Sequence, residues 1–325
     1  MRPLNQFQSY LVHEFVDDYN DGVMTRRDMV ARVLHITGSV AGAATLLTTL
    51  GVRAADAMEP VKLLRQGSAT PQSPNSVPED DPAIVAQEFT YPSSDGATIT
   101  GYGARPSNPA ATPATGSKAT PQASGFPVIM VCHENRGLTD HIRDVVRRLA
   151  KAGYAAAAPD LVSREGGTAA NSPDEIPSIL SNADPARHVG DFQAAVKYFQ
   201  GDSYLNADRL GMIGFCFGGG ITWRCATQIP ELKAAIPFYG PPPPLEDVPN
   251  IKAAVLGVYS SDPGDFANEG RDALEQALKD AGVTFEIKVY PDTEHAFHND
   301  TGPRYNEEQA IAAWNDSLAW FGEHV

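Results

Sequence analysis

Gly214-Phe215-Cys216-Phe217-Gly218-Gly219-Gly220 reads G-x-C-x-G, a sharp turn that carries a nucleophile between a strand and a helix, with cysteine where serine is usual. The flanking residues supply that context. Arg209-Leu210-Gly211-Met212-Ile213 predicts a short buried strand, and Ile221 to Thr227 predicts the start of a helix. A side chain on such a turn stands at the carboxyl end of a strand and at a helix N-terminus. The dipole there favours an anion, and so a thiolate over a thiol. The bland reading is a Gly-rich turn with an incidental cysteine; the flanking pattern favours the nucleophile.

Outward from this turn, apolar runs alternate with helical patterns from Phe126 to the end. Val128-Ile129-Met130-Val131-Cys132 is all apolar, as a parallel strand buried on both faces requires. Further strands are expected at 154–158, 234–239, 253–259 and 285–290, with helices at 139–152, 185–200, 269–281 and 307–322. Before them, 85–91 and 97–102 read as a strand pair around Ser93-Ser94-Asp95-Gly96. Repeated strand–helix units predict an α/β fold with a mostly parallel central sheet flanked by helices. Ligands bind such sheets beyond the carboxyl ends of the strands.

The chain has 325 residues, room for one large domain with tails. A formal net charge of −15 argues against nucleic acid and anionic membrane surfaces as partners. Three cysteines make a poor disulfide framework at this size, and Cys132 and Cys225 read as small buried hydrophobes. The cysteines lack C-x-x-C spacing and the histidines lack H-x-x-x-H, so no metal or organic cofactor is expected. No oligomeric contact is read from the sequence.

Residues 1–57 read as a helical, leader-like extension, 58–82 as a linker and 83–325 as the catalytic domain. Leu11, Val12, Phe15, Val16 and Tyr19 share one face of a helix within 1–24. Thr25-Arg26-Arg27-Asp28-Met29, an apolar stretch from Val33 to Gly51, and Ala55-Asp56-Ala57 follow in the order of a twin-arginine export leader. That order predicts a periplasmic or extracytoplasmic protein without a stable membrane span. The alternative is a cytoplasmic protein whose Thr25 caps a helix with Asp28 closing the cap. Gln66 to Pro82 is rich in Pro, Ser and Asp, and Pro106 to Gly125 reads as a flexible surface loop.

A cysteine nucleophile needs a base within reach and a group to orient that base. In this motif's usual order the acid follows the nucleophile and the histidine comes last. His295 lies in Tyr290-Pro291-Asp292-Thr293-Glu294-His295-Ala296-Phe297, just after the last expected strand, and is preferred to His298 as the base. Ser260-Ser261-Asp262-Pro263-Gly264-Asp265 offers two acids. Asp262 is preferred because it is nearer the strand end, with Asp265 as a helix-capping alternative. His133-Glu134-Asn135-Arg136-Gly137 follows the first central strand, where a backbone N–H near Asn135 would join that of Phe217 to hold an oxyanion. Glu134 beside a thiolate would repel it, so Glu134 must pair elsewhere, with Arg136 a possible partner, or exchange partners with Cys216.

Taken together, His133-Glu134-Asn135-Arg136-Gly137-Leu138, Pro159-Asp160-Leu161, the cysteine turn, Pro237-Phe238-Tyr239-Gly240 and Glu294-His295-Ala296-Phe297 resemble the dienelactone hydrolase family over about residues 83–325. The resemblance implies an α/β-hydrolase fold and a Cys-His-Asp triad of Cys216, His295 and Asp262. It also implies that Glu134 is the glutamate that helps switch the cysteine to thiolate. Arg136 and Tyr239 are expected on the substrate side. Well-known members bind a substrate carboxylate with arginines, one of them four residues after the histidine; here that position is Asn299. The expected activity is hydrolysis of a small-molecule lactone or carboxylic ester through an acyl-thioenzyme. The alternatives are a general carboxylesterase, or a non-catalytic binding or redox-sensing member of the fold.

Overall fold

Ile84–Pro92 (β1) and Thr98–Pro106 (β2) form the expected hairpin, paired antiparallel along their whole length. Six more strands follow in this computed structural model, which describes residues 3–52, 68, 70–108 and 125–325. They are Phe126–Cys132 (β3), Ala155–Pro159 (β4), Leu205–Phe215 (β5), Leu232–Phe238 (β6), Ala254–Ser260 (β7) and Phe285–Tyr290 (β8). The sheet order is β1-β2-β4-β3-β5-β6-β7-β8. β4 pairs antiparallel with β2, and every pairing from β4 to β8 is parallel. β3, β4 and β7 are buried at every position, whereas the edge strand β8 alternates partly exposed residues. Central strands are covered on both faces and so need apolar side chains on both.

The helices are Gln6–Asn20 (α1), Arg26–Thr37 (α2), Val40–Thr49 (α3), Asp140–Lys151 (α4), Ile176–Asn182 (α5), Pro185–Gln200 (α6), Phe217–Gln228 (α7), Arg271–Ala281 (α8) and Glu307–His324 (α9). Asp184 accepts from the Ala186 N–H and Pro185 opens α6, which is why that boundary is legible in sequence. β5 begins at Leu205, earlier than expected. Its polar start pairs Leu205 and Asn206 with Phe126 and Pro127 before a register shift leads into the apolar half. α5, only seven residues long, has too few turns to show a period and was not anticipated.

At the N-terminus, Thr25 Oγ1 caps α2 by accepting from the Asp28 N–H at 3.2 Å and donating to the Asp28 carboxylate at 2.6 Å. Arg26 and Arg27 thus open a capped helix. Among the described residues no single helix is long and apolar enough to cross a membrane; α2 and α3 meet at 116°. The Ala55-Asp56-Ala57 site and most of the Pro106–Gly125 loop lie outside the described residues. Within the expected linker, Ser73 and Val77 are buried. The Ser73 N–H donates to Asp300 at 2.7 Å and the Val77 N–H to Asp144 at 2.7 Å.

α1 packs directly on the catalytic body. Phe7, Tyr10, Leu11, Val12, Phe15 and Val16 are buried. Phe7 lies on Phe217 with ring centroids 4.8 Å apart, and Tyr10 on Phe266 at 4.7 Å. Asn5 and Gln8 form a reciprocal cap at its start. Their side chains also reach α5, through the Ser181 carbonyl at 2.8 Å and Asn182 at 2.7 Å. This lays the helix across the carboxyl ends of the central strands.

Candidate active site

Cys216 sits between β5 and α7 at φ 56°, ψ −120°. That conformation is costly for a residue with a Cβ, so surrounding bonds must enforce it. The Cys216 N–H donates to the Phe238 carbonyl at 3.0 Å, and the Cys216 carbonyl accepts from Gly219 at 2.9 Å and Gly220 at 3.2 Å. The glycines permit the crossing. A Cβ at Gly218 would run into the Cys132 and His133 carbonyls, and one at Gly219 into the Phe238 carbonyl. The turn is therefore as tight as the G-x-C-x-G spacing implies, and it aims Sγ beyond the strand ends.

The resting thiol departs from the expectation of a thiolate. Burial pushes its pKa well up, and the carboxylates of Glu14 and Glu134 push the same way; hydrogen bonds from Tyr10 and the Phe217 N–H act against them. Sγ donates to Glu14 Oε2 at 3.3 Å. The helix dipole is thus outweighed by desolvation and two nearby acids.

His295 is buried after β8, with Nδ1 3.1 Å from Asp265 Oδ1. The acid beside it is Asp265, and the preference for Asp262 is corrected. Asp262 turns back on its own loop, accepting from the Gly264 N–H at 2.8 Å. Asp265 faces His295 while also accepting from the Ala267 N–H at 2.9 Å and the Ser260 hydroxyl at 2.5 Å. One carboxylate both caps the 266–268 turn and orients the histidine, so the capping role did not exclude the other. Burial acts to raise the Asp265 carboxyl, but the His295 charge and these hydrogen bonds prevail and hold it low. Burial likewise acts to lower His295, and Asp265 outweighs it to leave the imidazole raised. His298 instead stacks on Phe215 at 5.1 Å and packs against Phe238 and His141 below the turn.

His133 is structural. Its Nε2 accepts from the Leu161 N–H at 3.1 Å, which leaves Nδ1 to donate to the Glu134 carbonyl at 2.7 Å. This ties the ends of β3 and β4 and sets the loop that carries Glu134 and Asn135. Glu134 does not pair with Arg136; its Oε2 accepts from Asn299 Nδ2 at 2.5 Å, and its buried Oε1 has no hydrogen-bond partner among the described residues. Asn299, where a family arginine would stand, thus holds the loop glutamate.

Sequence reasoning placed nothing from α1 in the site, yet α1 supplies two of its residues. Glu14 lies between Sγ and Asn135, accepting from Asn135 Nδ2 at 2.7 Å. The Tyr10 hydroxyl donates to the Tyr239 carbonyl at 2.8 Å and lies 3.3 Å from His295 Nε2. An apolar stripe broken by a tyrosine and a glutamate was the available signal, but those residues also suit the solvent face of an ordinary helix. Tyr239 is buried at φ 36° and its hydroxyl is unpartnered among the described residues. Arg136 is exposed on the rim. A cavity of about 480 Å³ beside Cys216 is lined by Glu14, Glu134, Asn135, Arg136, Asn299 and Arg304, among others. Arg304 is turned to α1, pairing with Asp18 and Asp21 at 2.7 Å each.

Donor atoms of Glu14, Cys216 and His295 lie within 4.8 Å of one another. Each is already engaged in sharing protons: Sγ with Glu14, Nδ1 with Asp265, and Nε2 with Tyr10. The cluster is therefore read as acid–base machinery.

A mostly parallel sheet between helix layers, with a strained cysteine turn after its fifth strand, is the α/β-hydrolase architecture. The model of the dienelactone hydrolase family matches residues 115–325. A candidate carboxymethylenebutenolidase of Methylorubrum extorquens is 31% identical over 93% of this chain and 99% of its own length. One from Salmonella typhi is 36% identical over 79% of this chain and 94% of its own. The crystal structure of a candidate dienelactone hydrolase from Klebsiella pneumoniae, 33% identical, superposes with a TM-score of 0.65 over 74% of this chain and all of that one. The chain belongs to the dienelactone hydrolase family and is a hydrolase.

Proposed function

We propose that the protein hydrolyses a lactone or carboxylic ester through a covalent thioester at Cys216. The observation that carries this reading is the strained Cys216 turn, with the Asp265-oriented imidazole of His295 within 4.8 Å of its sulfur. The thiol passes its proton to a neighbouring acid–base group of the site, the sulfur attacks the carbonyl carbon, and the Phe217 and Asn135 backbone N–H groups receive the oxyanion. Each such donor contributes about 3 kcal/mol to the transition state. His295 then gives a proton to the departing alkoxide as the carbonyl re-forms. A water molecule, deprotonated by His295, cleaves the thioester, and the proton first taken from sulfur returns to it to restore the thiol. Asp265 holds the imidazole tautomer and stabilises the imidazolium without taking the proton.

The names of the relatives support a lactone substrate. The site's cations refine the class. Asn299 offers no charge and Arg304 is tied to Asp18, which supports Arg136, exposed on the rim, as the cation for an anionic substrate group. The reading is tested by steady-state turnover across a panel of lactones and activated esters. Cys216→Ala is expected to abolish turnover of every substrate the wild type accepts, and full activity in that variant would sink the assignment.

A further inference from the structure

Two carboxylates approach the thiol, and they are not equivalent. Glu134, on the loop after β3, is drawn towards Asn299 and makes no hydrogen bond to sulfur. Glu14, on α1, receives the thiol's hydrogen bond at 3.3 Å while Asn135 fixes its other oxygen. We propose that Glu14 is the carboxylate that holds the Cys216 proton at rest and must leave, with that proton, for substrate to reach the sulfur. The proposal rests on Cys216 being the nucleophile, and it makes Glu14 a catalytic residue for the reaction.

The surrounding groups agree. The Tyr10 hydroxyl is shared among the Tyr239 carbonyl at 2.8 Å, His295 Nε2 at 3.3 Å and the Cys216 sulfur. In this proposal His295 carries a proton on both ring nitrogens, with Asp265 opposite Nδ1. At rest the sulfur thus sees a protonated imidazole, Glu14 from α1, Glu134 from the loop after β3, and the phenols of Tyr10 and Tyr239. Glu14 in turn faces Asp18 on its own helix, with His295 and Arg136 opposite. Glu14 lies against the sulfur at 3.3 Å. When it withdraws, the S–H bond breaks, an O–H bond forms on Glu14, and the electron pair stays on sulfur beside the imidazolium. Burial raises the Glu14 carboxyl above its ordinary value, which suits it to accept that proton. The ion pairs of Asp18 and Asp21 with Arg304 show that the same helix holds the cavity's second arginine.

The test is the pH profile of iodoacetamide alkylation at Cys216 in the full chain, read by peptide mass spectrometry for the wild type, Glu14→Gln and Glu134→Gln. Removing the Glu14 charge is expected to lower the alkylation midpoint by about one pH unit, so that alkylation near neutral pH runs roughly tenfold faster. Glu134→Gln is expected to shift it by less than half as much. Glu14→Asp keeps the charge and most of the packing, guards against a variant that fails to fold, and should give a midpoint between those of the wild type and Glu14→Gln. An unchanged midpoint in Glu14→Gln and Glu14→Asp, or a larger shift in Glu134→Gln, overturns the proposal. Alkylation needs no ester. A shifted midpoint in a protein that hydrolyses nothing would defeat the hydrolase reading alone, and hydrolysis with an unshifted midpoint would defeat this one alone.

Discussion

At the scale of single residues, the site turns on which acid serves which base. Asp262 and Asp265 lie three positions apart in one loop, and only Asp265 touches His295. Asp265→Asn should leave the imidazole in the wrong tautomer and reduce kcat on the order of a thousandfold or more. Asp262→Asn should change it by about twofold at most, as a partly exposed loop substitution does. Steady-state kinetics on one activated ester checks both; equal effects would mean that the acid is misassigned. The Cys216 turn was legible from its local glycine spacing and His295 from its place just after the last strand, and their donor atoms lie within 4.8 Å of each other. The choice between the acids was not, since it depends on how the loop folds back on Gly264. Glu14 was illegible for a different reason: it is brought to Cys216 by the packing of α1, and no spacing records a contact across 202 residues.

At the scale of elements, the loop after β8 must hold His295 above the turn, and a buried ion network braces it. Asp300 takes His141 Nδ1 at 2.6 Å, Arg148 Nη2 at 2.6 Å and the Ser73 N–H at 2.7 Å. The stretch read as a linker therefore also fastens the loop that carries His295. Asp300→Ala should cost about 3–5 kcal/mol, because Arg148 and His141 would be left buried without that partner. Urea denaturation gives the value; a loss under 1 kcal/mol would show that the network is dispensable. The strands and long helices were readable because each is apolar on a fixed period or carries a terminal signal, as Asp184-Pro185 does for α6. β5 ran longer than its apolar core because pairing with β3 recruits polar residues.

At the scale of the whole molecule, α1 is part of the catalytic body. The account predicts that the functional protein keeps residues 6–20, whichever compartment it occupies, because Tyr10 and Glu14 come from them. N-terminal sequencing of protein from its native host checks this, and a mature chain starting beyond the Ala55-Asp56-Ala57 site would contradict it. Stability should also depend on pH through the paired carboxylates. Burial alone would raise both Asp265 and Asp300, but their partners hold them below the ordinary carboxylate value. Their contribution is therefore present above about pH 4 and lost as pH falls through the depressed folded values. His295 has the opposite sense. Its raised folded value gives stability that is full below about pH 6.5 and lost as pH rises through it. Thermal melts from pH 3 to 9 should show Tm falling at the acid end, with a flatter acid limb in Asp300→Ala. An acid limb as steep as wild type would contradict that attribution.

The covalent thioester is the central claim, and acid-quenched mass spectrometry during turnover of an activated ester tests it most directly. The account predicts a mass increase equal to the acyl group, on the peptide bearing Cys216, that forms in a burst and decays as substrate is spent. Turnover with no adduct on that peptide, or an adduct on another residue, would contradict it.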